Sequence, residues 1–144
     1  FSHWLTPSIV KRRFATWFYI CAANVGEDVT VDGEEMVEHL WINPAAALAQ
    51  HQTGELLMPP PTLVSLHDVA EHSTFEALVK TVTHRQPPYF FPTIVQRDEG
   101  MIFLYPGDSG YESADPEAQG VMHRSISTQG TFRYIRQVDW QALI

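Results

Sequence analysis

The chain has 144 residues, of which 44% are hydrophobic, 12% aromatic and 18% charged, enough for one core and short for two. Its formal net charge of −8 speaks against a general nucleic-acid or anionic-membrane surface, because Lys and Arg must carry such contacts. No apolar run has the length of a membrane span and no signal-peptide pattern is present, so a soluble, cytoplasmic protein is expected.

Phe1 to Leu5 alternate as a strand does, and Thr6-Pro7 stops the pattern. Because the first residue, Phe1, already lies inside that alternation, an upstream segment is expected in the native protein. Lys11, Arg12 and Arg13 form the one local cluster of cations, suited either to a phosphate or to solvent. Phe14 to Ala23 is almost continuously apolar and predicts a central strand covered on both faces. Phe14, Phe18 and Ile20 are expected among its most protected positions, and Cys21, the one cysteine, as a buried structural thiol. Trp17 and Trp41 read as core anchors.

An acidic connection from Asn24 to Asp32 follows, and Glu35 to Ile42 alternates as a second strand. Asn43-Pro44 is a cap followed by a first helical residue, so Ala45 to Gln52 is predicted helical, with Gly54 as its stop. Pro59-Pro60-Pro61 is read as a break, after which Thr62 caps a helix running towards Glu71. Ser73 or Thr74 caps a third helix with Phe75, Leu78, Val79 and Val82 on its apolar stripe. From Gln86 the pattern becomes extended. Thr93 to Gln96 with Met101 to Tyr105 predicts one hairpin, and His123 to Ser127 with Thr131 to Arg136 a second, turning at Gln129-Gly130.

The order HWLTP, RRFATWFYI, then DGEEMVEHLWINPAAALAQHQTGELLMPPPT resembles the C-terminal half of a Nudix hydrolase, in the branch that includes the coenzyme A diphosphatases. The resemblance implies an α/β fold, a Nudix-like α/β/α sandwich with a mixed sheet, its N-terminal part missing, plus a C-terminal β-hairpin extension. Residues 1–85 would be the C-terminal part of the Nudix-like domain, and 86–144 an extension packed on it. The family signature is Gly, five residues, Glu, seven residues, Arg-Glu, an apolar residue, any residue, Glu-Glu, any residue, Gly. This sequence has no Arg-Glu dipeptide, and its one Glu-Glu pair, Glu34-Glu35, is followed by Met-Val.

What the resemblance implies is hydrolysis of a pyrophosphate bond in a nucleoside diphosphate derivative, with coenzyme A and acyl-coenzyme A as the candidate substrates, and with Mg2+ or Mn2+ held by glutamates upstream. Hard divalent ions take carboxylate oxygens and stabilise charge during attack on phosphorus. Within the chain, Glu38 is the candidate for a catalytic and metal-binding role, with Glu35 as a second metal ligand and Glu34 beside it. Arg12, Arg13 and Trp4 are the candidate substrate-binding residues, the arginines through their planar, bidentate forks. The bland alternatives are a solvated acidic turn, a salt bridge, and core packing. The seven histidines show no His-Glu-x-x-His spacing, and Gly107-Asp108-Ser109-Gly110 reads as a turn, without the setting of a nucleophile elbow. Alone, the chain is expected to be inactive and to pair as a homodimer or with the missing segment. Two other readings are a non-catalytic Nudix-like binding module and an unrelated α+β domain.

Overall fold

The computed structural model describes residues 1–23, 30, 33 and 39–143. Strand β1, Ser2–Leu5, pairs antiparallel with β2, Ala15–Phe18, and parallel with β3, Tyr89–Phe90, so the sheet is mixed and β1 is its centre. Both expected tail hairpins form. They are β4, Thr93–Arg97, with β5, Gly100–Leu104, and β6, His123–Thr128, with β7, Thr131–Arg136. Pairing of β5 with β6 joins them into one antiparallel sheet of order β4-β5-β6-β7. Helices α1, Pro44–Thr53, α2, Pro60–Ala70, and α3, Phe75–Thr83, lie between the sheets in sequence, and a 3-10 turn, Trp140–Leu143, follows β7. Two sheets and three helices make the mixed α/β class that the sequence implied, compatible with a Nudix-like fold.

Local chemistry explains the boundaries. Asn43 Oδ1 accepts the Ala45 N–H at 3.0 Å, and Gly54, at φ 80, ends α1 in a left-handed conformation that a side chain would resist. Thr74 caps α3, its hydroxyl accepting the Ala77 N–H at 3.1 Å. The β6–β7 turn places both Gln129 and Gly130 at positive φ, as a two-residue hairpin requires.

Four expectations are corrected. The proline run does not break the chain before a Thr62 cap: Pro59 occupies the cap position and Pro60-Pro61 open α2, where the N–H that proline lacks would have no helical acceptor. Among the described residues, the aromatic run forms a four-residue strand at the sheet edge rather than a central one, with Phe14, Trp17 and Tyr19 all exposed. An unbroken apolar run carries no face alternation, so it does not distinguish a strand covered on both sides from one covered on neither. The chain leaves the sheet after Phe18, so Cys21 is exposed rather than buried. His39 to Ile42 precede α1 without regular structure and leave Trp41 at the surface; the rest of the second predicted strand, residues 35–38, lies outside the described residues.

The core is an aromatic cluster assembled from distant parts of the chain. Trp4 of β1 stacks on Phe90 of β3 at 4.1 Å and 8°, and Tyr105, following β5, meets both rings edge-on at 5.6 and 5.8 Å. Val64 of α2 and Trp140 complete it. Ser2 and Ser65 hydroxyls, 3.3 Å apart, add a polar tie between β1 and α2. Trp4→Ala should therefore lower unfolding free energy by about 3–5 kcal/mol in urea titrations, with Trp4→Phe costing less because the stack survives. A loss below 1 kcal/mol for Trp4→Ala would show that this cluster does not hold the sheets together.

Candidate functional site

Trp4 and Thr16 are cross-strand partners on the inner face of the mixed sheet. With Thr6, Phe14, Pro60, Pro61 and Phe103 they line a pocket of about 170 Å³ whose walls are almost wholly apolar. From the loop joining β1 to β2, Pro7 also lines it. Reciprocal bonds close that loop at its base: Thr6 N–H donates to the Phe14 carbonyl at 3.0 Å, and Phe14 N–H to the Thr6 hydroxyl at 3.0 Å. Arg13 Nε donates to the Thr6 carbonyl at 3.0 Å, and its guanidinium lies 5.6 Å from the Phe91 ring. The Arg12 guanidinium lies 5.1 Å from the Phe14 ring. Lys11, Arg12 and Arg13 are all exposed, so the clamped loop presents three successive cations to solvent beside an apolar hollow.

A second hollow, about 210 Å³, lies between α1, α2 and β7, lined by His51, Leu63, His67 and Phe132 among others. His51 bridges these elements, with Nδ1 3.0 Å from the Leu56 carbonyl and Nε2 2.7 Å from that of Phe132. Burial, then the charge of Arg136, holds the His67 pKa below its ordinary value.

Two ion pairs are buried deeper. Arg124 meets Asp108 bidentately, Nε to Oδ2 and Nη2 to Oδ1 both at 2.7 Å, while the backbone N–H groups of His123 and Gly110 fill the remaining acceptor sites. Arg85, just beyond α3, forks onto Asp68 of α2. Its guanidinium and that of Arg136 flank Trp140 at 5.6 and 4.5 Å. The Asp-Ser-Gly turn around Asp108 was visible in the sequence, but its partner 16 residues away carried no local signal.

Relatives fill in what geometry leaves open. Acyl-coenzyme A diphosphatase NUDT19 of Xenopus laevis is 29% identical over 143 residues, covering 94% of this chain and 37% of the relative. The Homo sapiens protein of the same name is 30% identical, covering 89% of this chain and 36% of its own length. The putative nudix hydrolase 7 of Caenorhabditis elegans is 24% identical over 107 residues. The chain is a relative of the Nudix diphosphatases. It spans about a third of the length of the NUDT19 proteins it matches. No family model and no solved structure matches it.

For this Nudix relative, the structure buries Trp4 in the pocket wall, while Arg12 and Arg13 do not line the pocket and instead contact two residues that do, Phe14 and Thr6. Glu35 and Glu38 lie outside the described residues. Among the described residues, no group of three or more His, Cys, Asp or Glu is placed to hold a metal ion, so these side chains do not themselves fit the implied divalent ion. No helix among them is long and apolar enough to cross a membrane.

The polar cluster around Asp108 has a consequence in acid. Burial lowers the His123 pKa to about 4, against weaker opposing effects of the Pro106 carbonyl and Asp108. The partners are consistent with a neutral ring: Nδ1 lies 2.7 Å from the Pro106 carbonyl, and Nε2 is positioned at 2.9 Å to accept from the Tyr134 hydroxyl. A histidine whose folded pKa is depressed contributes stability above its unfolded pKa near 6.5, and that contribution is lost as pH falls towards 4. Asp108 acts lower: burial would raise its pKa, but hydrogen bonds from Arg124, His123 and Gly110 outweigh that and hold it below the usual range. Its contribution is present above the unfolded value near 4 and disappears as pH falls through the depressed one. Urea midpoints should thus decline by roughly 3 kcal/mol equivalent between pH 6.5 and 4, and His123→Gln should flatten that slope. An unaltered slope in the variant would remove His123 as its source.

Proposed function

We propose that this chain is part of a Nudix-type hydrolase that cleaves the pyrophosphate bond of a nucleoside diphosphate derivative, coenzyme A or acyl-coenzyme A being the favoured class. The observation that carries the proposal is the match of 94% of the chain to only 37% of a diphosphatase. The absent signature motif fits a catalytic helix encoded upstream. Mg2+ or Mn2+ is accordingly assigned to glutamates of that helix, with Glu38 and Glu35 as candidates to join them. Residues 1–85 are read as the C-terminal part of the Nudix-like domain and 86–144 as an extension packed on it, in keeping with the Trp4–Phe90 stack across that boundary. Arg12 and Arg13 would take the substrate phosphates. A cytoplasmic location and no nucleic-acid or membrane partner accord with the charge of −8.

A second reading has its own observation. The exposed edge of β2, with Phe14, Trp17 and Tyr19, suits a non-catalytic Nudix-like module that pairs with another copy or with a further segment. Activity separates the two readings. The 144-residue chain with magnesium should not hydrolyse coenzyme A, whereas the longer protein should. In the longer protein, Glu38→Gln should slow turnover at least tenfold with an unchanged melting temperature, and Arg12→Ala with Arg13→Ala should raise KM about tenfold. Turnover by the isolated chain would sink the upstream-helix assignment, and unaltered kinetics in Glu38→Gln would return that residue to the solvated surface.

A further inference from the structure

We propose that the apolar pocket beneath the cationic loop is a subsite for the pantetheine arm of a coenzyme A-type ligand, receiving its branched dimethyl carbons while Arg12 and Arg13 hold the adjoining phosphates. The inference rests on the coenzyme A reading above and deepens it by assigning a specificity site.

Three observations converge on it. The first is size. At about 170 Å³ the pocket is smaller than sites that enclose a whole ligand, so it takes only a fragment. Charge placement is the second. In a chain of net charge −8 with nine Lys and Arg in all, three of those cations are consecutive in the exposed loop between Thr6 and Phe14, both of which line the pocket. That concentrates positive potential at the mouth of a low-dielectric hollow, where an anion is attracted. The third is spacing. The Arg12 guanidinium lies 5.1 Å from the centroid of the Phe14 ring, and Phe14 is a residue of the pocket wall, so a phosphate held there would have one aromatic ring between it and the hollow. In coenzyme A the group attached to the pyrophosphate at that range is the dimethyl-bearing carbon of the pantetheine arm. The thioester end lies much further along the arm, beyond the reach of a pocket this close to the cations.

Thr16 is the residue to alter, because it lines the pocket from an exposed position on the edge strand and carries little of the core. Binding to the longer protein, without divalent metal so that the ligands are not hydrolysed, would be measured by calorimetry for coenzyme A, 4′-phosphopantetheine, ADP and a series of acyl-coenzyme A thioesters. Thr16→Phe should weaken coenzyme A and 4′-phosphopantetheine about tenfold, since each of two buried methyls is worth about fourfold in affinity. ADP should change less than twofold. Thr16→Ile should give a smaller loss in the same order, which guards against misfolding of the larger variant, as does an unchanged melting temperature. Equal loss for ADP, or no loss for coenzyme A, would overturn the subsite. So would an affinity that climbs steeply with acyl length and collapses in Thr16→Phe, which would give the pocket to the acyl chain. Wild-type binding of ADP with none of coenzyme A would instead refute the coenzyme A reading itself, and the subsite with it.

Discussion

Everything in this structure is hung on the stack of Trp4 upon Phe90. The two rings belong to strands separated by most of the chain, and they lie nearly parallel at 4.1 Å. Tyr105 meets them at right angles and carries the contact into the four-stranded sheet, Val64 brings in α2, and Trp140 brings in the 3-10 turn. Trp4 also forms a wall of the apolar pocket. Its Nε1 is buried without a hydrogen-bond partner among the described residues, which hold the ring by packing. The same side chain is thus both a core member and a boundary of the candidate site, which ties the shape of the pocket to the stability of the fold.

Around this apolar centre the molecule buries charge in pairs. Asp108 is fully satisfied, with both oxygens engaged by Arg124 and by two backbone donors. Asp68 and Arg85 are less complete, because Arg85 Nε has no partner among the described residues. Pairs of this kind add little net stability over apolar replacements, yet losing one member is costly because the other is stranded. Their visible effect here is positional. One pair fastens the loop after β5 to the start of β6, and the other fastens the end of α3 to α2.

Where the sequence was legible, the signal was local. Asn43-Pro44, Gly54, Thr74 and Gln129-Gly130 each act on neighbours a few residues away, and each element they mark is present. Tertiary questions were harder. Nothing in Phe14 to Ala23 says whether its faces are covered, and its burial was misjudged along with that of Cys21, Trp17 and Trp41. The pairing of β1 with β3 left no trace in the pattern, since β3 is only two residues long. For the site, Arg12, Arg13 and Trp4 are legible as residue types, but the clamp between Thr6 and Phe14 that brings the arginines next to residues of the pocket wall is a tertiary contact with no local signal.

The strand orders also set a sequence of assembly. The four-stranded sheet is built from strands that neighbour one another along the chain, so each pairing closes a short or moderate loop. The mixed sheet instead needs His3 beside Tyr89, a closure over most of the polypeptide. Loop-closure entropy makes such a contact late and slow. Pulse-labelled amide exchange during refolding should accordingly protect β5 and β6 before β3, whose partner β1 has only its short hairpin with β2 to form earlier. The Trp4–Phe90 stack would then be the last piece set in place, a keystone whose pocket does not exist until folding is nearly finished.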